Sequence, residues 1–232
     1  MEIINVLDKG YVRLVDSMGS DLSVVNSARV SYNKAKETLD EKDERLIKFL
    51  AREGHTSPFR HATLQFEVYA PLMVARQWWK YIIGSSHQDP MTAWNESSRR
   101  YITEESEFYI PLADQWRQKP ANSKQGSGEL FDAPTGFKFE QALRTHVAEG
   151  NRLYEEAMRA GVAPEQARLF LPAYALYVRW YWTASLQGVA HFLNQRLEHD
   201  AQKEIQLYAQ AVNELARKKF PKALGELVKG RV

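Results

Sequence analysis

The 232-residue sequence contains no cysteine. Disulfides, thiolate zinc sites, iron–sulfur clusters and a cysteine nucleophile are thereby excluded, and any chemistry must rest on other groups. An excess of charge is also missing: 31 Lys and Arg stand against 29 Asp and Glu, a net charge of +2. That is too little for nucleic-acid binding by bulk electrostatics, although an uneven distribution still allows a local anion site. The expected partners are small anions rather than nucleic acid. No apolar run approaches the roughly 18 residues that cross a bilayer. The start Met1-Glu-Ile-Ile-Asn5 has neither the basic region nor the apolar core of a signal peptide, so a cytoplasmic protein with no membrane partner is expected. Gly-x-Gly-x-x-Gly and Walker loops are absent as well, which leaves the standard dinucleotide and triphosphate cradles unsupported.

What the chain does have is aromatic side chains, 12% of the total, with six Trp and eleven Tyr. They serve either as core filling or as stacking platforms for planar ligands. The length fits one domain spanning 1–232. Asp40 to Glu53 reads as a helix with Leu46, Ile47 and Leu50 on one face and Gly54 at its C-terminal cap. Thr63 to Ala70 alternates as a half-buried strand, Pro71 suits a first helical turn, and Leu72 to Ile83 follows as a helix. Gly84 to Ala93 reads as a loop, and short strands are expected at Arg99–Thr103 and Phe108–Ile110. Pro120 to Gly128 is linker-like and reads as a mobile excursion. Phe137 to Arg159 is helical, Pro164 to Phe170 is a short helix, and Ala173 to Thr183 carries a strand pattern. After Gly188 one long helix is expected to about Lys219, its buried stripe traced by Val189, Phe192, Leu193, Leu197, Ile205, Tyr208, Val212 and Leu215. The mixture predicts an α+β (mixed α/β) fold.

Arg196 falls in that apolar stripe, three residues after Leu193 and four after Phe192. A guanidinium keeps its proton when buried, so it needs either an internal carboxylate or an anionic ligand atom; both readings stand. Asn95-Glu96-Ser97-Ser98-Arg99-Arg100-Tyr101 packs an amide, a carboxylate, two hydroxyls, two guanidiniums and a phenol into seven residues. It is either a phosphate cradle or a polar turn entering a strand. Arg168, before Leu-Phe-Leu-Pro172, is a third guanidinium in apolar surroundings. His55 and His61 bracket a turn, with no third ligand at metal spacing, so a structural or ligand-supporting turn is expected and no metal site.

Six segments, in this order, resemble the flavin-dependent thymidylate synthases: Ser27-Ala-Arg-Val-Ser-Tyr32, Gly54-His-Thr-Ser-Pro-Phe-Arg-His61, Pro71-Leu-Met-Val-Ala-Arg-Gln-Trp-Trp79, Asn95-Glu-Ser-Ser-Arg-Arg-Tyr101, Ala167-Arg-Leu-Phe-Leu-Pro172 and Phe192-Leu-Asn-Gln-Arg196. The resemblance implies a twisted, mainly antiparallel sheet flanked by long helices, in a homotetramer with active sites at subunit interfaces. It implies dUMP as the nucleotide substrate, FAD and NADPH as cofactors and methylenetetrahydrofolate as carbon donor, with dTMP as product. Gln77, Lys80, Glu96, Ser97, Ser98, Arg99, Arg100, Arg168 and Arg196 correspond to the dUMP set, with Arg196 favouring the ionised, electron-rich pyrimidine. Ser57, Lys80, Tyr81, Ile82, Glu96, Ser185, Leu186, Gln187 and His191 correspond to the FAD set. Ser98 stands at the motif serine and is read as a binding residue, because no base lies near it in sequence.

The family's Arg-His-Arg triplet reads Lys80-Tyr81-Ile82 here, and fifteen residues separate Ile82 from Ser98 where the family has seven. Gln187 stands where an Arg is common. Lys80 offers a point charge rather than a fork, and Tyr81 a ring that can stack. Two other functions compete: a nucleotide methylase acting on UMP or on both UMP and dUMP, and a non-catalytic nucleotide- or RNA-binding module.

Overall fold

The computed structural model describes residues 2–30, 35–84, 93–97, 105–121 and 126–228. The expected strand at 99–103, most of the loop at 84–93, and residues 122–125 of the expected excursion lie outside them.

Among the described residues, five strands form one sheet: β1 (Ile3–Val6), β2 (Gly10–Met18), β3 (Thr63–Pro71), β4 (Ala93–Glu96) and β5 (Tyr177–Ser185), in the order β1-β2-β3-β5-β4, every pair antiparallel. Eight helices among the same residues accompany it: α1 (Asp21–Ala28), α2 (Glu41–Arg52), α3 (Leu72–Gly84), α4 (Ala133–Arg159), α5 (Pro164–Ala167), α6 (Leu186–Arg196), α7 (Lys203–Lys219) and α8 (Pro221–Leu227). This is a mixed α/β fold.

Strand alternation separates two faces. Leu64, Phe66 and Val68 of β3 and Val178, Trp180 and Trp182 of β5 are buried against Val74 and Trp78 of α3, Phe192 and Leu193 of α6, and Tyr208 and Val212 of α7. Trp78, Trp180 and Trp182 are each at most 2% exposed, so these three indoles are core. The opposite face carries Tyr11, Arg13, Glu67, Tyr69, Arg179 and Tyr181. There the buried Glu67 carboxylate accepts from Tyr11 at 2.5 Å and pairs with Arg13. Burial alone would push this carboxyl up; the bonds from Tyr11, Tyr181 and Arg13 outweigh it and hold it below the usual range.

The two central strands each feed directly into a helix. Antiparallel pairing sets Pro71, the end of β3, beside Tyr177, the start of β5, and Thr63 beside Ser185. Helices α3 and α6 therefore enter from opposite ends of the sheet, and both pack on its core face. The first orphan N–H groups of α3 are met by backbone before β5, Leu72 donating to the Leu176 carbonyl and Met73 to the Tyr174 carbonyl. At α6 the Ser185 hydroxyl caps the helix by accepting from the Gly188 N–H at 3.1 Å.

Several expectations need correction. Pro71 ends β3 instead of opening α3, since its carbonyl side still pairs in the sheet register. Phe108–Ile110 forms only an isolated bridge, Phe108 to Leu176, while β4 is a strand that the pattern did not signal. The helix expected from 137 begins earlier, at Ala133, capped by Asp132 with Pro134 in the first turn. The 164–170 helix is a single α turn, α5, tightened into a 3₁₀ turn at Arg168–Phe170. The long helix after Gly188 is two helices, broken at residues 197–202. At 3.6 residues per turn, the twelve residues from Leu193 to Ile205 leave these side chains about 120° apart, so the apolar stripe shifts phase where the helix breaks.

Gly150 in α4 is in close packing: a Cβ there would sit 2.8 Å from the Phe170 carbonyl oxygen and 2.9 Å from Pro172. The missing side chain lets the segment that carries Arg168 lie directly on α4. Among the described residues, no helix is long and apolar enough to cross a membrane.

Candidate functional site

Where α3 and α6 meet, a polar cleft of about 610 Å³ opens. Gln77 and Lys80 of α3 line it, together with Gln195 and Arg196 of α6 and Glu198, His199 and Asp200 of the break before α7. Three residues of the proposed nucleotide set, Gln77, Lys80 and Arg196, are thus brought together, although Arg196 lies more than a hundred residues after the other two.

Arg196 is the last residue of α6, not a mid-helix member of a longer stripe. Of the two readings open for it, the internal carboxylate is not what the structure provides. Among the described residues no carboxylate is in salt-bridge contact with it, and its guanidinium carbon sits 4.9 Å from the centroid of the Tyr81 ring. Its Nε is buried without a hydrogen-bond partner among the described residues. A buried donor left unpaired in this way costs about 1–3 kcal/mol unless a ligand or water meets it. Gln187, the second residue of the same helix, presents the converse: its Oε1 is buried and has no donor among the described residues.

The other described members of the nucleotide set, Glu96, Ser97 and Arg168, do not line this cleft within the chain. Arg168 is exposed on its 3₁₀ turn, followed by Leu169 at 80% and Phe170 at 47% exposure, so the expectation of a guanidinium in an apolar setting is corrected. The apolar neighbours point outward because the turn is too short to have a buried face. Glu96 ends β4, and the Ser97 N–H donates to the Arg179 carbonyl at 2.8 Å. The Glu96 carboxyl is pushed up by crowding, against the hydrogen bond from Trp94 and the charge of Arg76, while part of the residue still faces solvent. Ser98, Arg99 and Arg100 lie outside the described residues.

Within the flavin set, Ser57 opens the 3₁₀ turn Ser57–His61, which is anchored by buried Pro58 and Phe59 and by the Ser27 hydroxyl donating to the Pro58 carbonyl at 3.3 Å. Ser185 and Leu186 are buried at the strand–helix junction, 1% and 0% exposed, where the Leu186 N–H donates to the Ala62 carbonyl at 2.8 Å. His191 lies 5.7 Å from Tyr81, ring to ring. The side chain of Ile82 lies outside the described residues. The residues fit a flavin in one respect: the buried Gln187 Oε1, without a donor among the described residues, offers an acceptor to a flat heterocycle that carries an N–H group.

A second cavity, about 600 Å³ and more apolar, is walled by Tyr109, Trp116, His146, Tyr174 and the Arg117–Glu204 ion pair, and shares Gly126 and Gln202 with the first. Sequence reasoning missed these residues and also missed Gln195, Glu198, His199 and Asp200. The phase slip between Leu193 and Ile205 was the available signal for the latter group. Among the described residues, no group of three or more His, Asp and Glu is placed to hold a metal ion.

A family model described as thymidylate synthase complementing protein matches residues 13–222. The chain belongs to the flavin-dependent thymidylate synthase family. It is 42% identical over 218 residues to the flavin-dependent thymidylate synthase of Thermotoga neapolitana, covering 94% of this chain and 90% of that protein. The enzyme of the same name from Thermosipho africanus is 39% identical over 216 residues, covering 93% and 90%. Among solved structures, the UMP/dUMP methylase PolB of Streptomyces cacaoi bound with 5-Br dUMP is 28% identical, with a TM-score of 0.81 and 96% of both chains covered. Its complex with 5-Br UMP gives a TM-score of 0.80 at 27% identity, covering 96% of this chain and 95% of that one. As a member of the flavin-dependent thymidylate synthase family, the protein is an enzyme.

Proposed function

We propose that the enzyme converts dUMP to dTMP by reductive methylation at uracil C5, with methylenetetrahydrofolate as carbon donor, FAD as bound cofactor and NADPH as reductant. The observation that carries this reading is Arg196: a cation with an unpaired buried Nε, placed on a cleft shared with Gln77 and Lys80, in a chain that has no thiol. Without a cysteine to add to C6, the pyrimidine itself must be made electron-rich. A guanidinium against its carbonyl oxygens stabilises the ionised ring electrostatically where that charge develops. Gln77 orients the nucleotide by hydrogen bonds, and Lys80 contributes a positive charge for its anionic part.

Ser57, Ser185, Leu186, Gln187 and His191 hold the flavin, and Lys80, Ile82 and Glu96 border it. When bound, reduced flavin supplies the hydride that completes the methyl group. Glu96, Ser97, Ser98, Arg99, Arg100 and Arg168 complete the nucleotide site from a second copy of the chain. The exposed Arg168, on an apolar turn away from the cleft of its own chain, supports an active site shared between subunits of a homotetramer. The whole chain, 1–232, acts as one domain in the cytoplasm, on small molecules rather than nucleic acid.

A second reading, methylation of UMP as well as dUMP, is favoured by the PolB complexes, whose bound ligands are 5-bromo derivatives of both nucleotides. The test is methyl transfer assayed on dUMP and UMP side by side, with the visible spectrum recorded before and after NADPH. Flavin absorbance that bleaches, with dUMP strongly preferred, is expected. Comparable rates on both nucleotides would establish the second reading, and a colourless protein that takes up no FAD would sink both in favour of a non-catalytic nucleotide- or RNA-binding module.

A further inference from the structure

Tyr81 occupies a triplet position that the family resemblance associates with the flavin, yet its surroundings point elsewhere. Its ring stands edge-on to Phe192 at 5.4 Å and beside His191 at 5.7 Å, and the guanidinium carbon of Arg196 lies 4.9 Å from its centroid. Among the described residues Arg196 lines the polar cleft and Tyr81 does not, so the ring backs the guanidinium from the protein side. Phe192 in turn stacks on the fully buried Trp78 at 4.3 Å, which ties the ring to the core of the sheet. Burial pushes the Tyr81 phenol above its ordinary value, against the Arg196 charge and a side-chain hydrogen bond with that guanidinium, so the ring is neutral at neutral pH.

A cation within about 6 Å of an aromatic centroid is held by the ring's electron-rich face, more strongly when both are removed from water. Such a contact, unlike a bidentate carboxylate, still leaves guanidinium N–H groups for a ligand in the cleft. It also fixes a long side chain whose rotamer freedom would otherwise be lost on binding.

We propose that Tyr81 is a positioning residue for Arg196, bracing the guanidinium so that it meets the nucleotide already oriented; this rests on the nucleotide reading of the cleft given above. Tyr81 then acts on nucleotide affinity through Arg196, and not as a flavin contact.

The test uses the full-length flavin-loaded protein with Tyr81→Phe, Tyr81→Leu and, at position 81, trifluoro- and pentafluorophenylalanine. The fluorinated rings keep the shape of phenylalanine while draining its face of electron density, so they preserve packing if Tyr81→Leu fails to fold. Three quantities are read: Kd for dUMP, flavin content, and the order of the Arg196 Nε–H group by nitrogen-15 relaxation in the nucleotide-free protein. Tyr81→Phe should bind dUMP within about threefold of the parent. Affinity should then fall stepwise with fluorination, by about tenfold at the pentafluoro ring or in Tyr81→Leu, with flavin content unchanged and Arg196 progressively less ordered. An Arg196 signal insensitive to the series would overturn the proposal, as would loss of flavin with dUMP affinity intact. A parent protein that binds no dUMP while Arg196 order still follows the series would support the brace and sink the nucleotide reading.

Discussion

Trp78 and Phe192 stack with ring centroids 4.3 Å apart and planes 22° from parallel, joining α3 to α6 inside the core. Because Gln77 and Lys80 flank the first residue and Arg196 lies one turn beyond the second, this contact sets the width of the cleft. Truncation by Phe192→Ala should cost about 3–5 kcal/mol of stability, measured by urea unfolding. It should also weaken dUMP binding more than Ile47→Ala, a buried truncation in α2 outside this contact. Equal loss of affinity in the two variants would show that the stack only stabilises.

Arg196→Lys keeps the charge but discards the planar fork and the delocalised cation that faces Tyr81. Methyl-transfer kcat/KM should fall by about a hundredfold or more, the scale on which removal of one preorganised donor acts. Arg196→Ala should abolish turnover while flavin content and the far-ultraviolet spectrum persist. Turnover at the parent rate in either variant would remove Arg196 from the mechanism.

Much of this arrangement was readable in sequence where one local pattern sufficed. The alternation of Leu64, Phe66 and Val68 gave β3, and the face of Leu46, Ile47 and Leu50 with Gly54 after it gave α2, which begins at Glu41 with Asp40 as its cap. The family motifs named Gln77, Lys80 and Arg196, which the cleft does bring together. What escaped was decided by distant partners. Strand β4 exists through its register with Thr183–Trp180, and four residues rich in polar side chains announce none of that. The break at 197–202 has neither Pro nor Gly to mark it, only a shift of the apolar phase. Residues 198–200 line the cleft because the chain turns there, and turning is a tertiary outcome.

Lys80 is exposed at the rim of the cleft, so it contributes little to folding. Lys80→Ala should leave the unfolding midpoint nearly unchanged and weaken retention of nucleotide or flavin by about fivefold to tenfold, while Lys80→Arg should retain or tighten it, since a fork binds phosphate oxygens in pairs. Dialysis followed by absorbance and titration calorimetry reads both ligands. Unchanged retention of both in Lys80→Ala would mean that this position has been misread.

Gly150 allows the Phe170–Pro172 segment to lie on α4, and Arg168 leads into that segment. Gly150→Ala places a methyl group 2.8 Å from the Phe170 carbonyl, a distance that forces the backbone to shift. The cleft of the same chain is untouched by this change. On the proposed homotetramer with a shared site, methyl-transfer activity and the assembled fraction in sedimentation should therefore fall together, with α4 still folded. Intact activity with a displaced segment would exclude Arg168 from a shared site.

Asp43 carries the acid sensitivity of the α1–α2 corner. Its carboxylate is fully buried, lies 2.6 Å from Arg29 and 2.9 Å from Lys36, and accepts from the Asp40 backbone N–H at 3.0 Å. Burial pushes its pKa up, but Lys36, the Asp40 N–H and Arg29 together hold it below the ordinary value of 3.8. Because the folded state holds the ionised form more tightly than the unfolded chain does, the contribution is complete above about pH 4. It disappears as pH falls through the lowered folded value. Asp43→Asn should lower stability at pH 7 by about 2–3 kcal/mol, the scale of a buried charged hydrogen bond left unmade, and flatten the acid limb of a stability–pH curve. A variant whose curve runs parallel to the parent's down to pH 2 would show that other carboxylates govern acid unfolding.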